Sequence, residues 1–512
     1  MKANKLRICI VGGGATGISL LWCLAQHKKF KEELEITVIH DQETLGGHSN
    51  TLPVHQSGKT YNIDIGVQYI SPMIYPNVAA MLQLPEFKSR VSVANCDELK
   101  IACSFPRDSK GAPQTWGNFK EYQHPSKSKL YNEDVKQDSI LFQKFIEKSV
   151  FNGTRNQSLK EHFDLFSRQY KDANRFIHYF LWPYLSIING YGAHLMDKTS
   201  FTDMFPLFSR IPFFSTPLGS FNDPGVGWQR FERGASDWIQ AMAEVASLYT
   251  KPIIICNSRV TKVWAKDEGS KAVVYVKWQD TDGNSDESTF DKVILTTDMW
   301  TNAEILNNDN NEYYWSNLYR NYIDKSQWPL HPGMCYIHKD STVLSPDLRD
   351  ELETLQFTGD FAPQNEYPYY ELEKTFTTYI QKNILQDLGA KGLYVTMYGY
   401  IPDTKVDKIP APESILFQQE WRHGMWVPSF MGGQKKLVHK VQGVGAKNSF
   451  KQPNTNIYFA GNNTTTDSEE GALISAMITA NYVFGIPYPL KGNLLAYFFY
   501  NLFYRKVLFP NT

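Results

Sequence analysis

The clearest indication of a ligand-binding site is a set of three glycines near the start of the chain. Gly12, Gly14 and Gly17 directly follow an apolar run and precede a helix-like segment. This spacing suits a dinucleotide: the first glycine permits a tight turn, the second admits a pyrophosphate, and the third allows close packing of helix on strand. Ala15 and Thr16 would offer backbone N–H groups at the positive end of the helix dipole. The spacing therefore predicts a dinucleotide site at this turn.

The ribose contact has two candidates. Dinucleotide-binding folds usually end the second strand with an acidic residue that accepts hydrogen bonds from the ribose hydroxyls. Here His40 holds that position and Asp41 follows it. Asp41 is the better acceptor for two hydroxyls, although strand alternation would turn its side chain to the other face.

The elements around these residues predict an α/β fold. Residues 6–11 and 36–39 are predicted strands, and residues 18–26 form a helix between them, which gives one βαβ unit. Near the other end, residues 457–460 are a predicted strand that runs into Gly461, and residues 471–484 are a predicted helix. Both ends of the chain therefore contribute to one Rossmann-like domain.

A second glycine pair gives the turn a family resemblance. Residues 45–51, Leu-Gly-Gly-His-Ser-Asn-Thr, together with residues 12–17, resemble the FAD-binding N-terminus of the flavin-containing amine oxidase superfamily. His instead of Arg after the pair is similar to a bacterial NAD/FAD-binding, amine-oxidase-like branch. Further segments resemble this branch or the superfamily's C-terminal flavin motif: residues 64–69, 75–77, 336–340, 344–346, 378–386, 457–461 and 470–475.

The resemblance implies noncovalent FAD and a set of cofactor contacts. Val260 is similar to the residue whose backbone contacts adenine in the family. Thr296 follows a buried strand, and its side chain would face the outer edge of the cofactor. With the first turn and the ribose candidates, the implied contacts are Gly46, Gly47, His48, Gly66, Val67, Gln68, Tyr69, Val260, Thr296, Gly461, Asn462, Glu470, Gly471, Ala472 and Ser475.

The C-terminal motif would place a helix amino end beside the flavin. A helix beginning at Gly471 and Ala472 would point N–H groups at the flavin N1–C2=O edge and favour the reduced, anionic form. The family usually has an acidic residue after Ala-Gly. Asn462 stands there in this chain and can hydrogen-bond without bringing charge.

The sequence also predicts a domain layout, because residues 91–224 and 301–439 are rich in aromatic residues and less regular than the rest. It predicts a Rossmann-like FAD-binding domain of the two-dinucleotide-fold, glutathione-reductase type, with an inserted α+β substrate domain. The FAD-binding domain would comprise residues 1–90, 225–300 and 440–490, and the substrate domain residues 91–224 and 301–439. Residues 491–512 would form a hydrophobic C-terminal helix.

Three aromatic or imidazole side chains are candidates for the catalytic region. His338 would share a strand face with Asp340 and line the substrate cavity, or it would be a structurally satisfied histidine. Trp421 and Trp426 would flank the flavin face, as aromatics near this place do in amine oxidases, or they would be core residues. No side-chain cluster has the spacing of metal ligands, so no metal is predicted.

Bulk properties exclude some classes. A net charge of −1 offers no global field that would attract nucleic acid or an anionic membrane. Six scattered cysteines indicate a reducing compartment, and the absence of a signal peptide or an 18-residue apolar span predicts a cytoplasmic location. The tail, residues 494–509, is dense in Leu, Phe and Tyr. It would be an interfacial membrane helix or a helix docked on the protein or a partner.

Three functions are consistent with these observations. The first is an FAD-dependent oxidoreductase that resembles flavin amine oxidases and moves hydride from an organic substrate to flavin N5. The second is a flavin-dependent desaturase or double-bond isomerase of a lipid or polyene. The third is a protein that holds FAD structurally and acts by binding a partner. An acidic or aromatic cage beside the flavin would favour an amine, and a long apolar tunnel would favour a lipid.

Overall fold

The structure is a computed structural model of the chain. It describes residues 5–26, 33–96, 99–107, 110–117, 158–170, 181–189, 227–268, 271–306, 330–348, 354–360, 374–424 and 456–508, with residue 177 and scattered positions between 137 and 148.

The strands in the described residues belong to five sheets. They are β1 (Leu6–Val11), β2 (Leu34–Ile39), β3 (Thr51–Gln56), β4 (Lys59–Asp64), β5 (Val93–Asn95), β6 (Ile101–Phe105), β7 (Gln114–Gly117), β8 (Gln229–Phe231), β9 (Ile253–Ile255), β10 (Ser258–Glu268), β11 (Lys271–Asp280), β12 (Ser285–Phe290), β13 (Lys292–Leu295), β14 (Leu330–His338), β15 (Leu355–Asp360), β16 (Lys374–Ile380), β17 (Tyr394–Tyr398), β18 (Ile415–Gly424) and β19 (Ile457–Phe459).

The helices of the described residues range from single turns to four turns. They are α1 (Ala15–Gln26), α2 (Pro76–Leu82), α3 (Pro85–Lys88), α4 (Leu159–Gln169), α5 (Trp182–Asn189), α6 (Ser236–Ser247), α7 (Met299–Leu306), α8 (Gln381–Ile384), α9 (Glu469–Phe484) and α10 (Leu494–Leu508).

A five-stranded parallel sheet organises the dinucleotide-binding part of the chain. Its order is β19-β13-β1-β2-β9, so the chain leaves β1 toward β2 on one side and meets β13 on the other. Helix α1 is buried on all sides, from Thr16 to Ala25, because it packs between the sheet, α6 and α9. In such sheets ligands bind where the strand order reverses, at the carboxyl ends of the strands. That point lies directly after Val11.

A seven-stranded sheet forms a second layer with its own core. Its order is β18-β14-β17-β16-β15-β6-β7, and every pair is antiparallel except β15 with β6. Aromatic side chains of α4, among them Phe163 and Phe166, fill its core. These strands come from residues 101–117 and 330–424, whereas the parallel sheet draws on residues 6–39, 253–255, 292–295 and 457–459. The domain limits themselves stay a prediction.

The α/β, Rossmann-like fold predicted from the sequence is confirmed, and the element boundaries differ by a few residues. Helix α1 begins at Ala15 rather than at residue 18, and β14 ends at His338, so Asp340 lies outside the strand. The Asp340 side chain instead accepts a hydrogen bond from the Thr342 N–H and caps a short 3₁₀ turn. Among the described helices, none has the length and apolar character needed to cross a membrane.

Candidate active site

The first glycine turn has the geometry that its spacing predicts. Gly12 has φ of +110°, and its N–H donates to the Ile39 carbonyl at 2.9 Å. A Cβ at Gly17 would lie 1.9 Å from the Gly12 oxygen, so only glycine permits this contact between helix and turn. The N–H of Ile18 bonds the Gly14 carbonyl at 3.1 Å, which places Ala15 and Thr16 in the first turn of α1. The turn therefore aims the amino end of α1 at the switch point of the sheet.

His40 has a role that the sequence did not indicate. Its Nδ1 accepts a hydrogen bond from the Gly13 N–H at 3.2 Å, and its Nε2 donates to the Thr44 carbonyl at 3.0 Å. Burial lowers the pKa of His40, although Asp41 and the Thr44 carbonyl act to raise it, so the ring is neutral. Both ring nitrogens are therefore used within the protein. This leaves Asp41, whose side chain is 61% exposed, as the carboxylate beside the turn.

The second glycine pair lies directly against the first turn. Gly46 forms a parallel bridge with Gly14, and its N–H donates to the Gly13 carbonyl at 3.1 Å. Gly46 and Gly47 have φ of +156° and +61°, values that favour glycine. A Cβ at Gly14 would lie 3.6 Å from Gly47, an ordinary contact. Packing within the protein therefore does not require glycine at position 14, whereas close approach of a pyrophosphate does.

The helix of the C-terminal motif begins two residues earlier than predicted. Helix α9 starts at Glu469, and the Ser468 side chain caps it by accepting from the Gly471 N–H at 3.0 Å. The Ala472 N–H donates to the Ser468 carbonyl at 2.8 Å. The predicted donors at Gly471 and Ala472 are thus used inside the helix. The amino end of the helix is formed by residues 469 and 470.

Glu470 and Ser475 hold the motif together. The Glu470 carboxylate is buried and accepts from the backbone N–H of Asn77 and of Val78, at 2.9–3.0 Å, and from the Asn77 side chain at 2.6 Å. The carboxylate is therefore engaged within the protein, and the cofactor contact of Glu470 stays a prediction. Ser475 Oγ accepts from the Gly461 N–H at 2.7 Å, which fixes the turn after β19.

Glu469, which precedes Glu470, contacts the second glycine loop. Glu469 is buried, and its carboxyl group accepts a hydrogen bond from Ser49 Oγ at 2.5 Å. Ser49 follows His48 in the glycine loop, so this bond joins the amino end of α9 to that loop. The two glycine loops and the amino end of α9 therefore lie together. We call this arrangement the dinucleotide cradle, comprising residues 12–17, 46–49 and 469–470.

Three other residues predicted to contact the cofactor lie near the cradle. Thr296 Oγ1 donates to the Val11 and Gly12 carbonyls at 2.8 and 3.2 Å, so its hydroxyl supports the turn. Val260 is buried near the start of β10, and the Ser258 N–H donates to the His40 carbonyl at 2.8 Å. Val260 therefore stands near the ribose candidates, where its predicted contact to adenine would require it. Asn462 is half-buried in the turn after Gly461, and Asn463 beside it is fully buried.

The segment after β4 packs against the second glycine loop. A Cβ at Gly66 would lie 1.8 Å from the His48 carbonyl oxygen, and the Val67 N–H donates to the same oxygen at 3.3 Å. The buried Gln68 side chain donates to the Asp64 carbonyl. The Tyr69 ring packs against the core of the seven-stranded sheet. This segment therefore joins the cradle to the second layer of the fold.

A polar and aromatic cluster lies where β18 meets the amino end of α9. The His48 ring contacts the Trp421 ring edge-to-face with centroids 4.7 Å apart, and the His423 ring at 5.1 Å. His423 Nδ1 lies 3.8 Å from Asp467 Oδ2, which also accepts from the Gly424 N–H at 2.6 Å. We call His48, Trp421, His423 and Asp467 the β18 cluster. His423 and Asp467 were not among the predicted site residues.

The charges of this cluster are set by its surroundings. Burial, with His423 beside it, lowers the pKa of His48 to about 4 despite the nearby Asp467 and Asp298 carboxylates. Burial acts to raise the pKa of Asp467, but hydrogen bonding and charge from His423, the charge of His48 and the Gly424 N–H together lower it below its usual value. Near neutral pH the cluster therefore holds a neutral His48 and an ionised Asp467.

The other two catalytic candidates have different outcomes. His338 is fully buried; its Nε2 pairs with Thr396 Oγ1 at 2.7 Å, and its Nδ1 accepts from the Asp340 N–H at 3.2 Å. β14 pairs with β18 from Leu330 opposite Gly424 to His338, so His338 lies eight residues, roughly 26 Å, from the cluster end of the strand. The structure therefore makes His338 a satisfied core histidine. Trp426 lies outside the described residues.

Comparisons with known proteins agree with this architecture. The sequence profile of a family described as NAD(P)-binding Rossmann-like domain matches residues 10–83, which contain both glycine loops. The chain therefore contains a Rossmann-like dinucleotide-binding domain. No curated protein matches the chain at a significant level.

Solved structures share the fold over most of their length. An oxidoreductase from Methanosarcina mazei is 14% identical with a TM-score of 0.55, over 92% of this chain and 99% of that one. A protein provisionally named a protoporphyrinogen oxidase, from an Exiguobacterium species, is 13% identical with a TM-score of 0.56, over 94% and 99%. A cofactor-site triple mutant of putrescine oxidase is 12% identical with a TM-score of 0.52, over 94% and 99%. The chain thus shares its fold with these three proteins over more than nine-tenths of its length.

Two buried carboxyl groups near the site make stability depend on pH. Burial raises the pKa of Glu469, against the Ser49 hydrogen bond, and that of Asp64, against the hydrogen bonds from Thr51 and Ala235, each to about 7. The folded chain then keeps protons that the unfolded chain has released. We expect these two groups to lower the free energy of unfolding as pH rises from about 4 to about 7, and to add no further change above that.

Melting curves across this pH range measure the effect. Glu469→Gln should flatten the fall in melting temperature between about pH 4 and pH 7, because glutamine does not titrate. Glu244→Gln changes an exposed glutamate on α6 and is the matched control. A Glu469→Gln curve parallel to that of the unchanged chain would contradict the expectation.

Proposed function

We propose that this protein is an FAD-dependent oxidoreductase that removes hydride from an organic amine. The observation that carries the proposal is the dinucleotide cradle, in which two glycine loops and a capped helix amino end meet at the switch point of a parallel sheet. A single glycine turn would suit any dinucleotide. The second loop and the amino end of α9 are the additional parts that the flavin-binding resemblance implies.

The residues of the cradle fit FAD. Gly14 faces Gly46 and Gly47 at a place where a Cβ would fill space that the protein's own packing leaves open. The exposed Asp41 carboxylate would hold the ribose hydroxyls in the place of the usual acid, because both nitrogens of His40 are engaged. The amino end of α1 would supply N–H groups for the phosphates, and the amino ends of α1 and α9 would both supply a positive dipole end, α9 beside a flavin edge.

The β18 cluster favours an amine among the substrate classes. When bound, FAD supplies a hydride acceptor at its N5 atom. An ionised Asp467 attracts a substrate ammonium group, and the Trp421 ring packs on His48 in the same cluster. His423, whose side chain is 27% exposed, lies beside Asp467 at this end of the site. The buried Trp421 ring and the seven-stranded sheet behind it exclude water from this end of the site.

Anaerobic mixing of the purified protein with a substrate panel tests the proposal. The protein should be yellow, and acid precipitation should release FAD into the supernatant. Primary and secondary amines should bleach the visible flavin band. If only unsaturated lipids or polyenes bleach it, the chain is a desaturase or isomerase. If no compound does, a binding role with structural FAD replaces the proposal.

The cluster has its own test. Asp467→Asn keeps the size of the side chain and an acceptor for the Gly424 N–H but removes the charge, so we expect kcat/KM for amines to fall by about 100-fold. Asp282→Asn, in the exposed turn between β11 and β12, is the matched control and should leave kcat/KM unchanged. Equal kcat/KM for both variants would remove Asp467 from the proposed site.

A further inference from the structure

The C-terminal helix α10 is docked on the dinucleotide-binding domain by one face. Ala496, Phe499 and Tyr500 on that face are buried. The Asn77 side chain donates to the Ala496 carbonyl at 3.1 Å, and the Tyr504 hydroxyl donates to Asn481 Oδ1 at 3.3 Å. α10 is therefore an integral part of the fold rather than a loose tail.

The opposite face of α10 exposes large apolar side chains. Leu494, Phe498 and Leu502 follow one another at four-residue spacing, so they form one stripe along the helix. They are 85%, 55% and 41% exposed, and Tyr497 and Leu495 beside them are 49% and 37% exposed. Among the described residues, five of the fifteen exposed large hydrophobic side chains thus lie within nine positions. Scattered single residues of this kind are ordinary, but a stripe indicates an interaction surface.

The charge around this stripe indicates what the surface binds. From Gly471 to Thr512 the sequence contains no Asp or Glu, and it contains Lys491, Arg505 and Lys506. This segment therefore carries +3, whereas the whole chain carries −1. An apolar stripe with aromatic rings, in a segment whose only charged side chains are basic, has the composition of a helix that lies in the interface of an anionic membrane.

We propose that the exposed face of α10 binds the surface of an anionic lipid bilayer, with the helix axis in the membrane plane. Fifteen residues of helix measure about 22 Å, less than the roughly 30 Å of the hydrocarbon core, so the contact is peripheral. A second copy of the chain is a less suitable occupant, because two such faces would bring like charges together. The proposal does not depend on the bound cofactor or on the substrate.

Flotation of the full chain with vesicles tests the proposal. The protein should float with vesicles of phosphatidylcholine and phosphatidylglycerol, float much less with phosphatidylcholine alone, and lose binding as salt is raised. The triple variant Leu494→Ser, Phe498→Ser, Leu502→Ser should reduce the bound fraction about tenfold or more, because three apolar side chains no longer enter the interface. Leu388→Ser, Val406→Ser, Leu416→Ser makes similar changes at exposed sites away from α10 and should bind normally.

Several results would overturn the proposal. These are recovery of the unchanged chain in the soluble fraction with anionic vesicles, and equal flotation of the two triple variants. A chain that does not float but forms a dimer, lost in the α10 variant, would make a second copy the occupant. If the α10 variant has a lowered melting temperature, its loss of flotation could reflect unfolding. The double variant Arg505→Gln, Lys506→Gln then tests membrane binding without changing the apolar stripe. Unchanged flotation of that double variant would also overturn the role of charge.

Discussion

Gly14→Ala is expected to leave the chain folded and to lower its affinity for FAD by about 100-fold or more, roughly 2.7 kcal/mol. The added Cβ would lie 3.6 Å from Gly47 Cα, its nearest protein atom, so we expect the fold to be unchanged. The methyl group would stand between the two glycine loops, where a pyrophosphate must approach the backbone. Titration of the apoprotein with FAD, followed by flavin fluorescence, measures the affinity, and the melting temperature of the apoprotein reports the fold.

Gly17→Ala is the contrasting variant. Its Cβ would lie 1.9 Å from the Gly12 oxygen, so helix α1 and the turn must separate before any ligand is present. We expect the melting temperature of the apoprotein to fall for Gly17→Ala and to hold for Gly14→Ala. If Gly14→Ala binds FAD as tightly as the unchanged chain, the cradle does not hold the pyrophosphate where we propose.

Glu470→Ala is expected to destabilise the dinucleotide-binding domain by about 3 kcal/mol or more. Alanine would leave the buried N–H groups of Asn77 and Val78 without their carboxylate acceptor, and each such loss costs about 1–3 kcal/mol. Asn77 also holds α10 through the Ala496 carbonyl, so the tail should become sensitive to limited proteolysis. Urea unfolding followed by tryptophan fluorescence measures the first effect, and a protease time course measures the second.

An exposed glutamate provides the comparison. Glu244 lies on α6, is 67% exposed and pairs with Arg90 at 3.5 Å, so Glu244→Ala should cost less than about 0.5 kcal/mol. If Glu470→Ala were no less stable than Glu244→Ala, the carboxylate would not be holding α2 and α9 together. Cofactor binding would then again be a reasonable role for Glu470.

Local signals were sufficient to predict the backbone of the cradle. The glycines at 12, 14 and 17 stand where strand, turn and helix are adjacent in sequence, so their spacing alone determines the geometry. The start of α9 also has a local signal, in the residues just before the predicted start at Gly471. Ser468 followed by two glutamates is typical of a helix N-cap and first turn, and it correctly places the start at Glu469.

The side-chain partners could not be predicted in the same way. His40 occupies the position of a ribose ligand, and only the fold shows that the Gly13 N–H and the Thr44 carbonyl engage both of its nitrogens. Asp467 and His423 meet because β18 ends beside α9, a contact between segments that no local pattern connects. For His338 the sequence left two roles open, because alternation along a strand gives the face of a residue and not which end of the sheet is near the site.

The bond between Ser49 and Glu469 joins residues 420 positions apart, and the bond between Asn77 and Glu470 spans 393. During synthesis the glycine turn therefore leaves the ribosome long before the segment that completes the site. At roughly 5–20 residues per second, the N-terminal βαβ unit waits about 20–80 seconds for α9. Throughout that interval α1 lacks the helix α9 against which it packs in the folded chain. The dinucleotide cradle is thus complete only after residues 469–470 have been synthesised.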